Sequence, residues 1–233
     1  MIDLHTHILC GMDDGAPDPQ TSIRLLKMQR EQGVDAVVLT PHFYRSREHA
    51  SHFLRRRAAA MDRLQEAIAC SGERDLPQLY LGAEVAWVPN LADSDHLDQL
   101  CIHGTKNLLL ELPMGKWSSD LSGQIYDLMG RTGITPVLAH LDRYLKAQRP
   151  ELIRDILELD VPVQISSTAL LRLSTRAMGL RALREYAHVL ATDCHDPVNR
   201  KPDLRPAMEL VSRKLGTAAA AALDRNARSL ITN

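Results

Sequence analysis

Ile2-Asp3-Leu4-His5-Thr6-His7-Ile8-Leu9-Cys10-Gly11-Met12-Asp13-Asp14-Gly15 opens the chain as an apolar–polar alternation that runs into an acidic loop closed by glycine. The alternation predicts a short strand, and on it His5 and His7, two residues apart, leave the same face. Two imidazoles on one face suit a metal ion, since each offers a neutral nitrogen lone pair. Asp13 and Asp14 follow on the loop, where a carboxylate is placed to reach a second cation. The reading gains weight only if later segments deliver more ligands to the same place.

They do. Ala36-Val37-Val38-Leu39-Thr40 reads as a buried strand of a parallel sheet and ends at Pro41-His42. Leu79 to Ala83 ends at Glu84, and Asn107 to Leu110 ends at Glu111. Thr135 to Ala139 ends at His140, Val161 to Ile165 is a further strand, and His188 to Thr192 ends at Asp193, with His195 two residues on. Helical runs separate these strands. One starts at Asp18-Pro19, an N-cap followed by proline, carries Ile23, Leu26 and Arg30 on one face and stops at Gly33. Others cover about 48–70, 121–129, 151–159 and 169–186, and the tail from 206 to 231 reads as helical throughout. Seven strands alternating with helices predict an α/β fold, a parallel barrel, in one domain over residues 1–233.

In such a barrel the carboxyl ends of the strands converge on the active site. His5, His7, Asp14, His42, Glu84, Glu111, His140, Asp193 and His195 are therefore candidate metal ligands, all offering nitrogen or oxygen and none sulfur. Nine ligands serve three ions if one carboxylate bridges two. Mixed histidine and carboxylate ligation suits manganese, iron or zinc. A lone histidine at a strand end is usually structural, but six of seven strands ending in such residues is hard to ascribe to chance. His49, His52, His96, His103 and His188 sit on loops, helices or strand starts and read as ordinary residues.

Arg143 and Arg200 follow two of these ligands closely, and guanidinium matches phosphate oxygens bidentately. Arg45, Arg47, Arg55, Arg56 and Arg57 form a basic run that reads as a solvated helix face, with Arg45 and Arg47 placed to steer an anion. Cys194 and Arg200 fit the C-x5-R pattern of cysteine-dependent phosphatases, but the residues between them contain no glycine and include Pro197, which lacks an amide. Cysteine catalysis is rejected.

A net charge of −1 argues against a general nucleic-acid binder. The 45% hydrophobic content suffices for a core that leans on aliphatic residues, since aromatics are only 4%. No apolar run is long enough to span a membrane, and the N-terminus lacks the regions of a signal peptide. Four scattered cysteines without a CxxC pair read as reduced thiols, so the expected location is cytoplasmic.

Asp3-Leu4-His5-Thr6-His7, Thr40-Pro41-His42, Gly82-Ala83-Glu84, Glu111-Leu112-Pro113, Ala139-His140-Leu141-Asp142-Arg143-Tyr144 and Thr192-Asp193-Cys194-His195 together resemble the PHP (polymerase and histidinol phosphatase) superfamily. The Asp13-Asp14-Gly15 loop, the segment around Arg143 and the tail Asn226-Ala227-Arg228-Ser229-Leu230 are similar to its bacterial branch of metal-dependent tyrosine-protein phosphatases from capsule and exopolysaccharide loci. The resemblance implies a distorted (β/α)7 TIM-like barrel with three divalent ions, manganese ahead of iron, zinc or magnesium. It implies that His5, His7, Glu84 and Asp193 hold one ion, with Glu84 bridging to a second completed by Glu111 and His140. Asp14, His42 and His195 would hold the third, and Arg143 and Arg200 would contact phosphate. The implied substrate is a phosphotyrosine protein, the tail of a bacterial tyrosine kinase of polysaccharide export, hydrolysed by in-line attack of water activated at the metals. The alternative is a small-metabolite phosphatase acting on a compound such as histidinol phosphate. One departure stands out: Gln164-Ile165-Ser166-Ser167-Thr168 replaces a segment that usually contains Asn-Ala, which bears on substrate fit.

Overall fold

The alternation in the opening stretch becomes β1 (Ile2–Thr6), buried along its whole length. In this computed structural model, which describes residues 1–232, it leads to α1 (Pro19–Glu31), β2 (Ala36–Leu39), β3 (His42–Phe43) and α2 (Ala50–Ser71). Then come β4 (Gln78–Leu81), β5 (Glu84–Ala86), the short α3 (Leu97–Leu100), β6 (Asn107–Glu111) and α4 (Leu121–Thr132). The second half holds β7 (Thr135–Leu138), α5 (Pro150–Leu157), β8 (Gln164–Ser166), α6 (Ser167–Leu171) and α7 (Leu173–Glu185). It ends with β9 (Val189–Ala191), α8 (Leu204–Leu215) and α9 (Thr217–Ser229).

The fold is mixed α/β with every strand pair parallel, arranged as β1-β2-β4, β3-β5-β6-β7 and β8-β9. Single parallel bridges, Thr6 to Cys194 and Leu138 to Val163, lie between the sheets. Among the described residues nine strands stand where seven were expected, because two predicted runs are cut. Pro41 has no N–H to continue the ladder after β2. At Gly82, between β4 and β5, a Cβ would lie 3.2 Å from Val38 Cγ1, so a side chain there would crowd that methyl group.

Two apolar layers follow from strand alternation. Leu4, Val38, Leu109, Val137 and Val189 face one cluster, which Ala227, Leu230 and Ile231 of the C-terminal segment also join. Leu39, Leu108, Leu110, Leu138 and Leu190 face the other, packed against the helices. On the first face the apolar series runs out into carboxylates: Glu111 follows Leu109, and Asp193 follows Val189 and Ala191 in the same alternation.

Three helix expectations change. The buried stripe of α1 is Ser22, Leu25, Leu26 and Gln29, with Ile23 and Arg30 only half-buried. Its polar members are satisfied by tertiary bonds: the Ser22 hydroxyl donates to Ile8 O at 2.6 Å and the Gln29 amide to Asp3 Oδ2 at 2.5 Å. The predicted helix over 169–186 is broken at Arg172, whose extended backbone separates α6 from α7. The tail is not one helix either, since Gly216 (φ 97°, ψ 156°) splits α8 from α9 in a conformation that disfavours any side chain.

Candidate metal centre

A register shift in β1 between Asp3 and Thr6 turns Asp3 away from the histidines that follow it. Asp3 accepts hydrogen bonds from Gln29, from Thr192 N at 3.0 Å and from the Thr192 hydroxyl at 2.5 Å, tying β1 to the segment that carries Asp193. His5 and His7 remain together, with their Nε2 atoms 3.1 Å apart.

The protonation of both rings follows from backbone donors. The N–H of His140 donates to Gln164 Oε1 at 3.0 Å, which makes that atom an acceptor, so His5 Nδ1, also 3.0 Å from it, carries the hydrogen. Asp13 Oδ2 likewise accepts from His42 N at 2.9 Å and from His7 Nδ1 at 2.7 Å. In the neutral rings each Nε2 is therefore a lone pair, and two lone pairs 3.1 Å apart repel unless a cation lies between them. Gln164 and Asp13 fix the orientation of these two rings, as the outer partners of a metal-binding histidine would. The sequence reading left both out of the site: nothing local in Gln164 signals a bond to a residue 159 positions away.

Glu84 is fully buried and faces four histidines. Its Oε1 is 2.8 Å from His140 Nε2, while Oε2 lies 2.9 Å from His42 Nδ1, 3.2 Å from His5 Nε2 and 3.3 Å from His7 Nε2. Asp193 Oδ1 is 3.5 Å and 3.3 Å from those same His5 and His7 nitrogens. Three groups offer ligand atoms within 4.8 Å of one another: His7, Asp14, His42 and His195; His5, His7 and Glu84; and His42, Glu84 and Glu111. His140 Nε2 adjoins the last at 3.6 Å from Glu111 Oε1. His7 sits at the junction, its ring stacked on His195 at 3.8 Å between centroids.

Buried atoms in this cluster lack hydrogen-bond partners: His42 Nδ1, Glu84 Oε2, His140 Nδ1 and His195 Nε2. Orphaned nitrogen and oxygen atoms converging on one place are what a divalent ion satisfies, so the residues fit a metal centre. Charge points the same way. Burial opposes ionisation of Glu84, but the closely set imidazoles of His5, His140 and His42 outweigh it and hold its pKa well below the usual range. Burial also opposes a charge on His7, yet the carboxylates of Asp13, Asp193 and Glu84 raise its pKa well above the usual value, so they favour a cation at this ring, a proton where no metal ion is bound. Burial and the charge of His7 lower His195 to about 4, leaving it a neutral donor at neutral pH. His140 and Asp193 both take positive φ, 31° and 54°, where the strand ends turn their side chains into the cluster.

Residues 1–232 match the family model described as capsular polysaccharide synthesis, CpsB/CapC. The chain belongs to the CpsB/CapC family. It is 28% identical over 244 residues to tyrosine-protein phosphatase YwqE of Bacillus subtilis (strain 168), covering 100% of this chain and 92% of the relative. To tyrosine-protein phosphatase CpsB of Streptococcus agalactiae serotype III (strain NEM316) it is 26% identical over 254 residues, covering 100% and 99%. Its fold superposes with a TM-score of 0.87 and 26% identity on a chain from crystal structures of YwqE from Bacillus subtilis and CpsB from Streptococcus pneumoniae, described as metal-dependent tyrosine phosphatases; the match covers 99% of this chain and 94% of that one.

In this CpsB/CapC-family chain Arg143 and Arg200 both reach Asp193. Arg143 pairs with Asp193 Oδ2, and Arg200 Nη2 lies 2.8 Å from the same oxygen. The basic run divides: Arg47 stacks over Tyr44 at 4.4 Å and lines a cavity of about 490 Å³ with Asp14 and His42, whereas Arg45 turns away to bond Asn90 O. Arg57 is no part of a solvated face, being buried with its guanidinium on the carbonyls of Gly82 at 2.6 Å and Gln99 at 2.8 Å.

Cys194 is buried, and burial raises its thiol pKa well above the ordinary value. The backbone amides of Val198, Asn199 and Arg200 are taken by the Asp196 carboxylate, so they do not cradle an anion. Cys194→Ser is therefore expected to keep phosphatase kcat within about threefold of wild type, since no reactive thiolate is lost. A hundredfold loss with metal still bound would restore a thiol mechanism.

The loop over Gly11–Ala16 folds back onto His7, with Ala16 N donating to His7 O at 3.0 Å. A Cβ on Gly15 would stand 2.0 Å from His7 O and 2.6 Å from His7 Cβ. Gly15→Ala is expected to cost about 1–3 kcal/mol, as forced overpacking does. Calorimetry should show a lower Tm, and an unchanged one would mean that the loop yields freely.

Proposed function

We propose that this chain is a metal-dependent protein-tyrosine phosphatase, a phosphoric monoester hydrolase. The observation that carries the reading is the convergence of histidine and carboxylate groups with orphaned buried atoms beside two arginines, in a chain whose relatives are named tyrosine-protein phosphatases. The nine ligands read from the sequence are assigned to three divalent ions, with manganese proposed ahead of iron, zinc or magnesium. His5, His7, Glu84 and Asp193 hold the first, Glu84, Glu111 and His140 the second, and Asp14, His42 and His195 the third. Bound divalent ions supply Lewis-acid charge and lower the pKa of water.

The protein's own groups do the rest. Arg143 and Arg200 are catalytic residues that neutralise phosphoryl oxygens through in-line transfer. Gln164 and Asp13 keep Nδ1 protonated on His5 and His7, so Nε2 stays available as a donor atom. Tyr44, beside His42 at 5.3 Å between ring centroids, offers an aromatic wall to the substrate's ring. A phenolate leaves readily, its parent phenol having a pKa of about 10.

We further read the three sheets as one distorted (β/α)7 barrel forming a single domain over residues 1–233. The Thr6–Cys194 and Leu138–Val163 bridges support this, as does an apolar cluster that draws on both ends of the chain. The proposed substrate is a phosphotyrosine protein, a bacterial tyrosine kinase of polysaccharide export, met in the cytoplasm. Four free cysteines support that compartment, and no helix among the described residues is long and apolar enough to cross a membrane.

The test is hydrolysis of p-nitrophenyl phosphate, a phosphotyrosine peptide and histidinol phosphate by purified protein, with added manganese and after chelation. Metal-dependent turnover of the first two, well above histidinol phosphate, is expected. Preference for histidinol phosphate would move the assignment to a metabolite phosphatase, and turnover indifferent to chelation would remove the metals from the mechanism.

A further inference from the structure

Beside Asp193 lies a cavity of about 390 Å³ whose walls carry Arg143, Lys146, Arg172, Arg200 and Lys201. These five cations come from three segments: the one after β7, the break between α6 and α7, and the loop after β9. In a chain with net charge −1 this is a concentration, not an average. Arg143 and Arg200 are engaged with Asp193. Lys146, Arg172 and Lys201 make no ion pair among the described residues, although acids stand close by. Asp142 accepts instead from Ser166 N at 2.8 Å, and Asp203 takes the Ser167 hydroxyl while feeling the charges of Lys201 and Arg172.

A second observation marks the cavity as a place for a ligand. Ser166 lines it, is only 2% exposed, and has a hydroxyl with no hydrogen-bond partner. Thr168, two residues on, stands on the same wall. A hydroxyl donor among unpaired cations suits an anion.

We propose that this cavity is a second anion subsite, which binds a carboxylate or phosphate carried on the same polypeptide as the phosphotyrosine. The inference rests on the phosphatase reading and extends it to substrate choice. Arg143 and Arg200 line both the cavity and the metal cluster, so a chain leaving the reacting phosphate enters it directly. Lys146, Arg172 and Lys201 then pair with the flanking anion, Ser166 adds a neutral hydrogen bond, and the reacting phosphate stays with the arginines. Specificity of this kind falls with ionic strength, because the outer cations are exposed.

The experiment compares phosphotyrosine peptides whose flanks are alanine, glutamate or a second phosphotyrosine, with the charged position stepped along the chain. Substrates are offered to manganese-replete wild type and to the Arg172→Ala/Lys201→Ala and Lys146→Ala variants. An anisotropy assay with a labelled, unphosphorylated glutamate-rich peptide gives a binding readout without turnover. Wild type is expected to favour an anionic flank about tenfold in kcat/KM, a preference that shrinks with added salt and approaches parity in the double variant. Preference for glutamate and phosphate alike identifies a general anion site, and preference for the second phosphate alone identifies a phosphate site. Equal kcat/KM on all flanks, with p-nitrophenyl phosphate still hydrolysed, overturns the subsite and leaves the phosphatase standing. Preference that persists in the double variant places the recognition elsewhere and also overturns it. No hydrolysis of any phosphoester by metal-replete protein overturns the phosphatase reading, and the subsite with it.

Discussion

Glu84→Gln is expected to lower phosphatase kcat/KM by about a hundredfold or more and to strip bound metal, the upper range for loss of a group that organises a metal site. Glu84 meets His140 with one oxygen, at 2.8 Å, and His42, His5 and His7 with the other, at 2.9 to 3.3 Å. Glutamine keeps the shape but loses the charge, and it turns one oxygen into an NH2 donor that holds no cation. The buried imidazoles then share a site without their central anion, which Asp193 and Glu111 approach only from its edges. Elemental analysis after gel filtration and p-nitrophenyl phosphate kinetics give the two readouts. A third is thermal: manganese should raise the wild-type Tm by selective binding to the folded state, and that shift should vanish in the variant. Wild-type metal content and turnover in Glu84→Gln would falsify the bridging role.

Arg143→Ala is expected to reduce kcat by about 10²–10³-fold, the loss typical of one transition-state oxyanion donor, with metal content unchanged. Metal retention is expected because Arg200 stays on Asp193 Oδ2 at 2.8 Å and continues to hold that carboxylate. Arg143→Lys should recover only part of the rate, since an ammonium lacks the planar fork that pairs with two phosphoryl oxygens. Loss of both arginines should cost less than the product of the single losses, because they act on one group. Steady-state kinetics on a phosphotyrosine peptide, set beside metal analysis, separates the roles. A fall in metal content matching the fall in rate would make Arg143 a support for Asp193 rather than a contact to phosphate.

Much of this was legible from residue order. The parallel α/β class followed from strands alternating with helices, and the Asp18-Pro19 start of α1 is where the structure puts it, with Asp18 Oδ1 accepting from Thr21 N at 2.7 Å. The nine candidate ligands were readable because each lies in a strand-like run, at its end or on the loop just after it, a local property, although His42 and Glu84 turn out to open short strands of their own. Rejection of Cys194 was local too, since Pro197 and the absence of glycine already spoil an anion-binding loop. What went astray depended on neighbours. Arg57 looked like one more surface arginine until the carbonyls of Gly82 and Gln99 took its guanidinium. The face of α1 was misassigned because Ser22 and Gln29 are polar yet buried, satisfied by Ile8 and Asp3 from β1 and its loop.

By itself the sequence determined which residues are candidates for one site, because strand periodicity and ligand chemistry are properties of short segments. Only the tertiary structure decided how those atoms are held. The bulge in β1 parts Asp3 from His5, Gln164 reaches across from β8 to set the His5 tautomer, and left-handed backbones at His140 and Asp193 turn two candidate ligands inward. It alone gathered Lys146, Arg172 and Lys201 around Ser166. Each of these rests on hydrogen bonds, register or close approach between segments distant in the chain, and no local pattern encodes the partner that completes such a contact.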